Sequence, residues 1–125
     1  PPVDPDLPYD NLGEPKHLAY PFDPDAEDDH GLGAIVEDVE ENGKFKVMTL
    51  RNVGITGPFA HNGFFLSLKE ITNFYNTRDV NPWPEPEYPD TVNTDELGDL
   101  GLTPEQEDLL VAFMMTLTDG YVPPE

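Results

Sequence analysis

The reactive side chains of this sequence crowd into one stretch, positions 44 to 78, where Tyr75 follows His61 by fourteen residues. A phenolate oxygen and an imidazole nitrogen can each hold a transition metal, and Met48, Met114 and Met115 add three softer thioether donors. Each group also has an ordinary role. A tyrosine packs in a core with its hydroxyl satisfied, a histidine bonds a loop carbonyl, and methionines fill space. Disulfides and thiolate metal sites are excluded, because the chain contains no cysteine.

The positive charge lies in the same stretch. Six Lys and Arg face 26 Asp and Glu, for a net charge of −20. Five of the six bases, Lys44, Lys46, Arg51, Lys69 and Arg78, fall between 44 and 78 with Glu70 as the only acid, leaving +4 there and −24 elsewhere. An anionic ligand would be received in this segment; the alternative is a core-forming segment that simply excludes acids. The rest of the chain repels nucleic acid and anionic membrane surfaces. A basic protein partner or a high-salt habitat suits it better. No apolar run reaches the ~18 to 20 residues that span a bilayer. The start, PPVDPDLP, lacks the basic and apolar regions of a signal peptide and reads as an internal or processed end.

These residues need a scaffold, and the composition limits what it can be. The 125 residues make one domain's worth of chain. Their hydrophobic fraction of 37% falls below the ~45–50% of ordinary domains. Fifteen prolines and ten glycines interrupt what apolar sequence there is. The expected fold is mainly α: a small helical core wrapped in long irregular proline-rich loops and stabilised by a cofactor or a partner chain.

Residues 1–43 read as an acidic, extended covering segment whose anchors include Leu7, Tyr9, Leu12, Leu18, Tyr20, Phe22 and Ile35. Its most acidic part, FDPDAEDDHGLG at 22–33, lacks the ligand spacing of an EF-hand and reads as a solvated loop. Residues 44–125 carry the helices. Ser67 and Glu70 form a capping box before a helix that places Leu68, Ile71 and Tyr75 on one face, with Phe74 beside them. Four prolines make 77–94 a loop. Thr103, Pro104 and Gln106 open a last helix whose stripe of Leu109, Leu110, Phe113, Met114 and Leu117 is expected to face the core, with Gly120 as its stop.

Read together, FKVMTLRN at 45–52, TGPFAHNG at 56–63, the helix ending in FYN and the final LTPEQEDLLVAFMMTLTDG resemble the C-terminal domain of bacterial diheme cytochrome c peroxidases and their relative MauG. YDNLG at 9–13 belongs to the same match, which runs from about Tyr9 to Gly120. The resemblance implies a partial cytochrome c-type helical domain, residues 44–125 being its C-terminal half. It also implies a periplasmic or otherwise extracytoplasmic location. In that family the heme-attaching C-x-x-C-H lies upstream of the part seen here. Heme c would therefore be attached through another chain or through a missing upstream segment.

Two sites follow from the resemblance. The family's axial heme ligand stands fourteen residues after the histidine of H-x-G, which is Tyr75 here. Peroxidases commonly have methionine at that position and MauG has tyrosine. An anionic phenolate favours ferric and higher iron states, whereas a thioether favours ferrous iron. The family's calcium is held by backbone carbonyls matching Thr56 and Pro58, although its asparagine ligand from the other domain has no counterpart here; without the resemblance the segment is an ordinary turn. Arg51 and Lys46 suit the heme propionates, surface ion pairing being the alternative. His61 lies near the heme edge, structuring the Asn62–Gly63 turn and contributing to an electron path. His17 and His30 sit in acidic loops, where ligation to another heme is the minor alternative.

The match has departures. The family's proline before Thr49 is Met48, and its tyrosine after Pro58 is Phe59. The implied function is to complete a heme c pocket in trans, with a polypeptide carrying C-x-x-C-H, for electron transfer and peroxide-linked redox chemistry. The chain would not be catalytic alone. The alternatives are an electron-transfer subunit of a multiheme complex without peroxidase activity, and a heme-free acidic interaction module.

Overall fold

In the computed structural model, residues 8–16 and 28–119 are described. Three helices carry most of the regular structure: α1 (Leu32–Val36), α2 (Leu68–Thr77) and α3 (Pro104–Met115). A two-stranded antiparallel sheet joins β1 (Tyr9–Asp10) to β2 (Phe45–Lys46), with Tyr9 opposite Lys46 and Asp10 opposite Phe45. The helices and the long irregular connections agree with the expectation from sequence. The sheet and α1, both inside or against the segment read as extended, do not. Local signals miss α1 because it has five residues and no side-chain cap. Tertiary contact makes it instead: the Leu32 amide donates to the Lys44 carbonyl at 2.8 Å, and Gly31 stands at φ 52 where a Cβ would meet that same oxygen.

The two longer helices begin where their caps place them. Ser67 Oγ accepts from the Glu70 amide at 3.1 Å. At α3 the box is complete, Thr103 Oγ1 accepting from the Gln106 amide while Gln106 Oε1 accepts from the Thr103 amide. The core of α2 differs from its apparent stripe. Phe74 is fully buried with Leu68, whereas Ile71 and Tyr75 are only half-buried. Phe74 packs on Phe65 and Trp83, with ring centroids 4.9 and 5.3 Å away. The Trp83 indole donates to Thr77 Oγ1 at 3.0 Å, which fastens the proline-rich loop to the end of α2.

Between α2 and α3 the contact is polar. Glu107 is the only buried residue of α3, its carboxylate taking bonds from Asn73 at 3.1 and 3.2 Å and from Asn76 at 2.8 Å. The expected core stripe of α3 faces outward instead: Leu109 is 69% exposed and Phe113 56%, with Leu110 and Met115 also exposed. Met114 and Leu117 are half-buried. The periodicity presupposes a core that the described residues do not supply. Gly120 lies outside the described residues, as do Leu7, Leu18, Tyr20 and Phe22.

Candidate functional site

A tight turn aims His61 inward. Ala60 at φ 70 and Gly63 at φ 71 bend the chain, while Asn62 accepts from the Phe64 amide and donates to the Pro15 carbonyl at 3.0 Å. The imidazole then meets groups from three distant segments. Its Nε2 lies 2.6 Å from Glu87, its Nδ1 3.8 Å from Glu14, and its ring stacks on Phe45 at 3.9 Å and 9°. The backbone brings the two carboxylates together, the Glu87 amide donating to the Glu14 carbonyl at 2.8 Å.

Burial pulls the His61 pKa down, but Glu14 and Glu87 outweigh it and raise it from 6.5 to about 9. The imidazole is therefore a cation at neutral pH. Glu14 acts from 3.8 Å, and the buried Nδ1 has no hydrogen-bond partner among the described residues. Burial opposes ionisation of Glu87, yet the bond from His61 and the Asp29 amide hold its pKa below the ordinary carboxylate range.

Tyr75 stands on α2, half-buried, and its hydroxyl makes no hydrogen bond to a described residue. Burial, then the negative charges of Glu14 and Asp10, push its pKa up to about 12. A phenol in this position gives up its proton only to something positive. Glu14 therefore acts electrostatically on both His61 and Tyr75.

Arg51 and Lys46 are exposed, and neither forms an ion pair with a described residue. The other bases are committed. Lys44 pairs with Glu41, Lys69 with Asp108, and Lys16 with Asp28. Arg78 is buried, paired with Asp79 and bonded to the carbonyls of Leu12 and Leu97. Thr56 and Pro58 are exposed, and their carbonyls accept no hydrogen bond from a described residue. His30 packs edge-on against Tyr88, and His17 lies outside the described residues.

No family model matches the chain. It is 41% identical over 111 residues to methylamine utilization protein MauG of Paracoccus denitrificans (strain Pd 1222), covering 77% of this chain and 29% of MauG. Cytochrome-c peroxidase IdrP1 of Denitromonas iodatirespirans is 34% identical over 93 residues, covering 74% of this chain and 23% of the peroxidase. Among solved structures, the diheme peroxidase BthA from Burkholderia thailandensis superposes with a TM-score of 0.75 at 33% identity, covering 90% of this chain and 33% of BthA. The chain belongs to the MauG and diheme cytochrome c peroxidase family. It corresponds to the C-terminal part of those proteins and spans less than a third of the length of the two curated relatives.

Within this MauG-like segment, Tyr75 and His61 share one electrostatic neighbourhood, whereas Arg51 and Lys46 remain outside the His61 cluster. Glu14, Glu87 and Phe45 were not visible as members of the site. Each lies in its own segment, and no helical or strand period links positions 14, 45, 61 and 87. A histidine in a segment nearly free of acids was the available hint: it needed a carboxylate from elsewhere.

Proposed function

We propose that this chain completes a heme c pocket together with a heme-bearing polypeptide that carries C-x-x-C-H, with Tyr75 as axial ligand. Tyr75 carries the reading: a half-buried phenol with no hydrogen bond to a described residue, beside Glu14 and Asp10. Metal binding supplies the positive charge that the phenolate needs.

The residues present fit a heme. Glu14 and Asp10 lie near enough to act on Tyr75 and would favour an added positive charge, which suits ferric iron. Arg51 and Lys46 are available for propionates. The exposed Met48, Leu50 and Ile55 offer apolar cover nearby in sequence. Bound heme would supply one-electron redox chemistry; peroxide chemistry would fall to the heme-bearing polypeptide. Thr56 and Pro58 would offer two free carbonyls to calcium, the remaining ligands coming from elsewhere. A periplasmic or otherwise extracytoplasmic location accompanies this reading. No described helix is long and apolar enough to cross a membrane.

The test is to purify the chain with its C-x-x-C-H companion and take a mass and an absorption spectrum. The reading requires covalent heme on the companion, none on this chain, and a spectrum that changes with Tyr75→Phe. A heme-free assembly would sink it.

A further inference from the structure

His61 and Glu14 face one another in the interior, yet no hydrogen bond closes the gap between them. The Glu14 side chain is 7% exposed, its carboxylate stands 3.8 Å from Nδ1, and it accepts no hydrogen bond from a described residue. The other nitrogen is differently placed: Nε2 lies 2.6 Å from Glu87, in a short charge-assisted bond. Phe45 covers one face of the ring, and the space that these side chains line has no room for a water molecule. Of the two imidazolium protons, the one on Nε2 is fixed to Glu87. The one on Nδ1 has no acceptor within hydrogen-bond reach among the described residues, so it is the proton free to leave.

The strip that carries Glu14 also runs beside Tyr75. Arg78 follows Tyr75 by three residues on the same face of α2, and its guanidinium donates to the Leu12 carbonyl at 2.9 Å. Gly13 sits against the same side chain, since a Cβ there would stand 3.2 Å from Arg78 Cδ. Glu14 comes next, and its charge reaches the phenol, as does that of Asp10. We propose that His61 Nδ1 is a proton site linked to the charge held at Tyr75, giving up its proton when a cation binds the phenolate and regaining it when that cation is reduced. That the cation is heme iron rests on the proposed function.

The linkage is electrostatic. Glu14 and Glu87 are the charged groups that face the ring, β2 contributes the uncharged Phe45, Asp29 and Tyr88 border the same space, and Lys16 acts on Glu87. Both facing carboxylates favour the imidazolium, whereas a cation on Tyr75 opposes it, and little water screens that repulsion. A unit charge ~10 Å away at an effective dielectric of ~20 changes a proton affinity on the order of tenfold. One electron from an external one-electron reductant converts ferric heme to ferrous, and one proton from solvent forms the Nδ1–H bond of a neutral imidazole. No other bond is made or broken.

Two measurements on the ¹⁵N-labelled chain need no heme. Above the His61 midpoint, the imidazole ¹⁵N shifts should report the tautomer with its proton on Nε2. Tyr75→Lys places a positive charge at that position and should lower the midpoint by about one pH unit, whereas Tyr75→Gln should leave it in place. In the heme-loaded assembly, the reduction potential should fall between about pH 8 and 9 and be level to either side, and a pH indicator should show proton uptake on reduction within that window. His61→Gln should abolish the fall, and Glu105→Gln, at an exposed carboxylate of α3, should keep it. Circular dichroism verifies that each variant keeps the parent's helix content. The Nδ1–H tautomer, an unmoved midpoint in Tyr75→Lys, a level potential, or a fall that survives His61→Gln would each overturn the proposal. A heme-free assembly in which Tyr75→Lys still moves the midpoint would overturn the heme reading alone.

Discussion

Phe45 lies flat against His61, the ring centroids 3.9 Å apart and the planes 9° from parallel. Because the imidazole is held charged by Glu87 and Glu14, the stack places a cation on an aromatic face as well as between two carboxylates. One side chain thereby ties together β2, the Glu14 segment and the proline-rich loop.

That brace should depend on pH in a definite direction. The His61 pKa rises from 6.5 unfolded to about 9 folded, so its contribution is complete below about 6.5 and lost as pH climbs through about 9. At most it amounts to about 3 kcal/mol. The depressed Glu87 pKa acts oppositely, its contribution being lost as pH falls through the acid range. Urea midpoints should therefore peak in the weakly acidic range, and NMR titration should place the His61 midpoint near 9. A midpoint near 6.5 would contradict the clamp.

Replacing Tyr75 with Phe tests the iron ligand. In the heme-loaded assembly the substitution should leave helix content intact, alter the absorption spectrum and raise the reduction potential, because a phenolate stabilises ferric iron. If every heme keeps its spectrum and potential, Tyr75 is a packing residue only.

The outward stripe of α3 should make the isolated chain adhesive. Salt screens the −20 charge that keeps copies apart, so sedimentation should show association growing with salt and with protein concentration. Leu109→Asp combined with Phe113→Asp should stay monomeric at unchanged helix content. Equal sedimentation of the variant and parent chains would place the contact elsewhere.

Glu107 predicts a contrast between two substitutions. Glu107→Leu removes the acceptor of the half-buried Asn73 amide and one of the two acceptors of the buried Asn76 amide, and should cost about 2 kcal/mol. Glu107→Gln keeps an acceptor oxygen and should cost about half of that. Urea midpoints separate them, and equal losses would mean that shape rather than hydrogen bonding holds the helices.

The helix starts were legible because caps are local. Thr103, Pro104 and Gln106 are neighbours, and their chemistry needs nothing from the rest of the chain. Which faces are buried was less legible. Phe74 rather than Ile71 fills the core because Phe65 and Trp83 come to it from separate loops. Leu109 and Phe113 have the right period but no partner among the described residues. The His61 cluster was illegible for a similar reason, since residues 14, 45 and 87 meet only after the loops have closed.

Residues 8–16 are fastened mainly to distant parts of the chain. The side chain of Asn11 donates to Tyr88 and Thr91, Arg78 holds the Leu12 carbonyl, Asn62 the Pro15 carbonyl, and Glu87 the Glu14 carbonyl. Were this strip cut from the rest of the chain, those long-range bonds and the burial of Asn11, Glu14 and Pro15 would still hold it as a separate peptide on the same particle.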